Sequence, residues 1–292
     1  MPSPPPHPNR DPLSVLIHNS YGKSRVRLTK VTRREDRHEL VEISVDVELE
    51  GDFESSYTVG DNRRIVATDT MKNTVYALAR SHPLEHLEGF GLHLAAHFAD
   101  GYPQVRSATI RLAQQPWERI AVAGEPHPTA FVGGGSEQRV CTVTRSGGES
   151  RVEAGIEGLL VLKTTASSFT GFERDALTTL PETDDRILAT SVTARWKYAA
   201  GAADWNACHA AARRAMLEVF ATHHSLAVQQ TLNLMGEAAL EACPEIVEIS
   251  LQLPNRHRLL VNLQPFRLDN PNVIFVPTDE PYGMISGTLR RE

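Results

Sequence analysis

The stretch Asp61 to Ala79, DNRRIVATDTMKNTVYALA, places three helix-capping candidates, Thr68, Asp69 and Thr70, between a β-prone run, Arg64 to Ala67, and a segment with helical spacing. A helix start leaves backbone N–H groups unpaired, so an anionic or carbonyl-rich ligand can be held there, and a threonine hydroxyl at that point can relay a proton. The plainer reading is an ordinary capped helix. Other candidates have similarly plain readings. Lys23, after Tyr21-Gly22, reads as a solvated strand lysine, Arg186 in TDDRILAT as a partner for Asp184 or Asp185, and Gln229 in HSLAVQQTL as a helix former. Asn255 in LPNRHR makes a Pro-Asn turn ahead of His257.

Two histidine pairs, His82 with His86 and His93 with His97, have the i, i+4 spacing of helix-borne metal ligands. The HLAAH word lacks the glutamate of HExxH, so they read as histidines on a helix surface or interface. Gly89, Gly91 and the Gly133 to Gly135 triplet match neither a dinucleotide fingerprint nor a phosphate loop, so no flavin, nicotinamide or nucleotide triphosphate is implied. The chemistry falls to side chains.

These groups must be positioned by a chain of 292 residues, 41% hydrophobic, which suits one large core or two half-size ones in a soluble protein. Its net charge of -6 and scattered Lys and Arg give no basic stripe for nucleic acid, so the expected partner is small. There is no apolar run of about 18 residues and no signal sequence, which gives the expectation of a cytoplasmic or equivalent lumenal protein. Cys141, Cys208 and Cys243, odd in number and far apart, read as buried thiols in a reducing compartment.

Met1 to Pro12 holds six prolines and reads as a mobile extension, with order beginning near Leu13. Period-two alternation predicts a hairpin from Lys23 to Thr32 and His38 to Leu49, then a strand at Val105 to Ala113 and a strand-like run within Thr129 to Thr144, interrupted by Gly133-Gly134-Gly135. Helical spacing marks Thr70 to Ala79 and Leu84 to Ala99. The second half repeats the plan: strands Val152 to Lys163 and Ile187 to Tyr198, helices Asp204 to Thr222 and Ser225 to Ala242, closing strands Glu245 to Leu253 and Arg258 to Leu263.

The words IVATDTMKNTVYALA, YGKSRVRL at Tyr21 to Leu28 and LPNRHRLLVNL at Leu253 to Leu263 resemble the urate oxidase family, in its order and approximate spacing, from about Ser20 to the C-terminus. The resemblance implies an α+β fold of two tandem T-fold repeats, residues 13–148 and 149–292, each an antiparallel sheet with a helix pair on one face, after the extension at residues 1–12. Several subunits would join their sheets into a barrel around a tunnel. It implies oxidation of urate by dioxygen and water to 5-hydroxyisourate and hydrogen peroxide without cofactor or metal. Lys23, Thr68 and His257 would relay protons, and Arg186 and Gln229 would grip the purine. Phe169, with Phe172 three residues away, would stack on the ring, although Thr170 stands where many members carry tryptophan. Val228 and Asp69 would give backbone contacts, and Asn255 with Thr68 would hold dioxygen and water.

The implied assembly is a homotetramer, with Lys23, Thr68 and Asp69 facing a neighbour's Phe169, Arg186, Gln229, Asn255 and His257. The ending Arg290-Arg291-Glu292 departs from the Ser-Lys-Leu type peroxisomal signal, which favours cytoplasm. Two rivals remain: a purine-binding scaffold without turnover, and a tunnel enzyme acting on a pterin or guanine nucleotide. Metal content and a substrate panel separate them.

Overall fold

A computed structural model describes residues 14–199, 201, 204–278 and 280–292, so the proline-rich extension and Leu13 lie outside the described residues. The chain opens with the expected hairpin, β1 (Ser20–Arg33) and β2 (His38–Gly51), paired antiparallel. A short helix α1 (Glu54–Thr58) precedes α2 (Thr68–Ser81) and α3 (Leu87–Gly101). Strand β3 (Val105–Gln115) follows, then a separate hairpin β4 (Trp117–Val122) and β5 (Glu125–Gly133), then β6 (Gln138–Ser146). The second half brings β7 (Glu149–Lys163), β8 (Leu188–Tyr198), α4 (Trp205–Thr222), α5 (Val228–Ala242) and β9 (Ile246–Pro254). A small pair, β10 (Arg258–Leu260) with β11 (Phe275–Pro277), leads to the last strand, β12 (Met284–Arg290).

Eight strands form one antiparallel sheet in the order β1-β2-β3-β6-β7-β8-β9-β12. Directly opposed residues share a face, so its two sides can be read row by row. Val26, Val45, Leu112, Cys141, Ala154, Trp196, Ile249 and Leu289 make one apolar row across all eight strands. The adjacent row on the other face is Asp46, Arg111, Thr142, Glu153, Lys197, Glu248 and Arg290. Ion pairs cross between strands on that side: Arg111 to Glu48 at 2.7 Å, Lys197 to Glu248 at 2.6 Å and Arg290 to Glu248 at 2.5 Å. Each is worth little at this exposure, but an apolar group in that row would gain nothing by burial.

The apolar face carries two cores. Residues of α2 and α3, among them Met71, Val75, Phe90, Leu94 and Phe98, cover the first four strands. Met216, Phe220, Met235 and Ala239 of α4 and α5 cover the rest. Buried Met71, Val75 and Ala79 recur every fourth residue of α2, as one helix face requires.

Several expectations need correction. Arg64 to Ala67 is irregular chain, not a strand. The Met71 N–H reaches Ala67 O at 3.1 Å, which makes Ala67 the N-cap of α2 and puts Thr68, Asp69 and Thr70 inside the helix; alanine has no side-chain acceptor, so no side chain caps it. The interruption expected at the glycine triplet within Thr129 to Thr144 is there, but the two sides belong to different sheets, β5 off the main sheet and β6 in it. The partner of β9 is β12, which the sequence reading passed over, while Arg258–Leu260 pairs with β11 in its own small sheet. Cys208 and Cys243 are not free thiols: antiparallel packing of α4 and α5 brings their Cα atoms to 5.4 Å in a disulfide across 35 residues. Cys141 stays a buried free thiol, and burial pushes its pKa up.

Candidate active site

The first group of candidates meets where β1 passes the start of α2. Lys23 stands opposite Val47, whose side chain is in the core, so the lysine lies on the helix-covered face and is half-buried. Gly22 is required beside it, because a Cβ there would overlap the Val47 carbonyl. A β-bulge follows between Lys23 and Val26, with Arg25 at φ 55 and its N–H held by the Asp46 carboxylate at 2.5 Å. That extra residue lets Lys23 and Val26 both face the helices, as bulges near functional sites often do.

Thr68 and Asp69 occupy the first turn of α2, and among the described residues the Thr68 hydroxyl has no partner. The Asp69 carboxylate is engaged along its own helix, by Lys72 at 2.5 Å and Asn73 at 2.9 Å. These contacts, Lys72 foremost, hold its pKa below the usual carboxylate value, and the Lys23 charge adds to the effect. Lys23 is therefore within electrostatic reach of the α2 start. The Asp69 contribution available to a ligand is its backbone N–H.

The second group gathers around β8, α5 and the end of β9. Arg186 lies two residues before β8, its guanidinium carbon 5.1 Å from the centre of the Phe169 ring. Asp185 does not pair with it: that carboxylate accepts from the Thr165 hydroxyl at 2.7 Å, and Thr165 with backbone N–H groups holds its pKa low. Among the described residues no carboxylate forms an ion pair with Arg186, its Nε is buried without a hydrogen-bond partner, and desolvation lowers its pKa. A half-buried cation with an unused donor is a site for an anion. Phe169 also stacks on Phe172, centroids 4.9 Å apart and planes 12° apart, so the neighbouring phenylalanine backs the ring.

Phe169 is fixed through its backbone, by paired hydrogen bonds with Thr183 at 2.8 and 3.1 Å. Ser168 N–H donates to Ser225 O at 2.8 Å, and Ser225 N–H to Ala166 O at 2.9 Å. Ser225, Thr231 and His223 form a hydroxyl chain, 2.7 Å and then 3.1 Å to His223 Nε2, that sets the start of α5. Val228 is the buried first residue of that helix and Gln229 the exposed second. The neighbouring Gln230 accepts from Leu226 N–H at 2.9 Å, and among the described residues the Gln229 side-chain amide has no hydrogen-bond partner. Asn255 bridges to Thr190, and Arg256 N–H reaches Ala189 O at 2.9 Å, so the same register carries His257 to the chain end that bears Arg186. Sequence reasoning missed Ser225, Thr231 and Thr183; only the folded backbone reveals them.

The structure does not bring the two groups together within one chain. Lys23 is on β1 and Arg186 leads into β8, strands five spacings apart, about 24 Å along the sheet at 4.7–4.9 Å per strand. A groove of about 1110 Å³ between β1 and the α2–α3 turn is lined by residues that include Lys30, Arg34, Tyr76 and Glu85 and holds none of the candidates. Of the histidines, His86 caps α3 by accepting from Gly89 N–H at 3.1 Å, and His82 accepts from Leu84 N–H at 3.0 Å. The one cluster of three metal-capable groups among the described residues is Cys208, Cys243 and Glu245, and its two sulfurs are bonded to each other. No described helix is long and apolar enough to cross a membrane.

One large antiparallel sheet with helices over its apolar face defines an α+β protein, and Arg186 beside it is half-buried with its Nε unpartnered. A family profile described as uricase matches residues 19–144 and 152–286. The uricase of Arthrobacter globiformis is 50% identical over 95% of this chain and 90% of its own length. That of Dictyostelium discoideum is 36% identical over 96% and 98%. The crystal structure of the Arthrobacter globiformis uricase superimposes with a TM-score of 0.90 at 49% identity, covering 96% of both chains. The chain belongs to the uricase family.

Proposed function

We propose that this protein is a urate oxidase that converts urate, dioxygen and water to 5-hydroxyisourate and hydrogen peroxide without an added redox group. The observation that carries the reading is Arg186: half-buried, without an ion-pair partner among the described residues, and set against the Phe169 ring. A flat purine anion satisfies both groups, stacking on the ring while it accepts from the guanidinium fork. Gln229 reads the opposite amide edge, and the Val228 and Asp69 N–H groups close on carbonyl oxygens at the two helix starts.

Dioxygen reacts slowly with closed-shell molecules unless they become electron-rich. Lys23, Thr68 and His257 remove protons from urate, which raises its electron density until one electron passes to oxygen. The radical pair recombines as a peroxide adduct, which water replaces, releasing hydrogen peroxide. Asn255 and Thr68 hold first oxygen and then water above the ring. Arg186 stabilises the growing negative charge.

The two groups are complementary yet too far apart on one sheet, so the site closes between chains. We place it in a homotetramer of two T-fold repeats per chain, residues 13–148 and 149–292, with the charged sheet face lining a water-filled tunnel. What supports this is the pair of cores, the polar row across the sheet, and two sheet edges, β1 and β12, that are unpaired among the described residues. Exposed Leu259, Leu260, Phe266 and Val276 on and beside the β10–β11 pair add apolar surface that association would cover.

The test mixes metal-stripped protein with urate in air and follows urate's ultraviolet band with oxygen uptake and peroxide. Equal loss of urate and oxygen with matching peroxide is expected. Untouched urate, or consumption only after a redox group is added, contradicts the reading.

A further inference from the structure

We infer that Tyr21 is a positioning residue that sets Lys23 and Thr68 at working distance by clamping the backbone just before α2 to strand β1. The inference rests on the relay proposed above. The Tyr21 hydroxyl accepts from the Val66 N–H at 2.8 Å and donates to the Val66 carbonyl at 3.2 Å. One hydroxyl thus satisfies both backbone groups of a residue that is only 5% exposed.

Val66 belongs to the irregular segment between α1 and α2, where no sheet or helix ladder can meet those groups. Without Tyr21 the segment has no other described tie at Val66 to β1. Spacing makes the tie direct: Tyr21 and Lys23 are two residues apart on one strand face, opposite Leu49 and Val47, and Val66 precedes Thr68 by two residues. The ring is itself fixed, edge-on to buried Phe53 with centroids 4.8 Å apart and planes at 87°. Burial raises the Tyr21 pKa, so the hydroxyl keeps its proton and serves as donor and acceptor together.

Tyr21→Phe removes both hydrogen bonds and keeps the ring. Its kcat on urate should fall about ten- to a hundredfold, the cost of misplacing reacting groups by an ångström or less. KM should stay within about threefold, because the Arg186 corner that grips the purine is untouched. In the Lys23→Met background the same change should cost clearly less than it does in the unmodified protein, since only Thr68 is then left to position. Phe53→Leu, which loosens the ring but keeps the hydrogen bonds, should lower Tm while kcat per folded site holds.

Wild-type kcat in Tyr21→Phe, an equal further loss in the Lys23→Met background, or a comparable kcat loss in Phe53→Leu would overturn the inference. Failure of the relay itself reads differently: Lys23→Met would then keep full turnover. Failure of the present inference alone leaves Lys23→Met slow and Tyr21→Phe fast.

Discussion

Arg186 and Lys23 differ in what surrounds them, and that difference predicts different kinetic signatures. Arg186 touches the Phe169 ring and lacks a counter-ion among the described residues, so in the proposed reaction it both grips the bound anion and stabilises the further charge that grows on it. Arg186→Ala should raise KM and lower kcat together, with kcat/KM reduced by at least about ten- to a hundredfold, the worth of a charge-assisted hydrogen bond. Steady-state kinetics on urate check this. In the proposed relay Lys23 acts on protons: Lys23→Met should cost about 10²–10⁴ in kcat with KM retained, and normal turnover would remove the lysine from the mechanism. The sequence alone offered Asp184 or Asp185 as the partner of Arg186. What it did not reveal is that Thr165 and backbone N–H groups engage Asp185 first. Residue type was legible; the competition among neighbours for each carboxylate was not.

Both corners are helix starts, α2 with Thr68 and Asp69, α5 with Val228 and Gln229. The periodicity of Met71, Val75 and Ala79 made α2 legible, and its start lies two residues before the expected Thr70. Strand β12 was hidden because small and polar residues, Ser286, Gly287 and Thr288, dilute its alternation, whereas Leu289 completes the apolar row. The disulfide was illegible for another reason. Cys208 and Cys243 are 35 residues apart, and only the folding back of α5 on α4 joins them. Cross-linking a loop of that length removes about 3–4 kcal/mol of unfolded-state freedom in the chain-entropy account. Cys208→Ala should therefore lower Tm by several degrees while kcat per folded site is kept, as calorimetry beside an activity assay would show. An unchanged Tm would mean that α4 and α5 hold together without the bond.

Across the whole molecule, buried histidine contributes to the loss of stability in acid. His209 sits beside Trp196, rings 5.7 Å apart, and burial, with Arg139 and Arg213 nearby, pushes its pKa down to about 3 from 6.5. Between those values the unfolded chain binds the proton and the folded chain does not, so stability is intact above pH 6.5 and is lost as pH falls towards 3. His82, His97 and His223, also lowered by burial, act in the same direction. Thermal unfolding against pH should show that slope, and His209→Gln should flatten it.

The sheet's breadth has the larger consequence. With Lys23 and Arg186 separated by about five strand spacings, neither corner can serve the other in its own chain. Co-assembly of Lys23→Met chains with Arg186→Ala chains tests this most directly. Each variant alone is impaired, but a site that draws its lysine from one chain and its arginine from another is intact in about one quarter of random pairings. The mixture should recover about that fraction of the unmodified protein's turnover. A mixture no faster than the average of the two variants would place both corners of each site in a single chain and contradict the account.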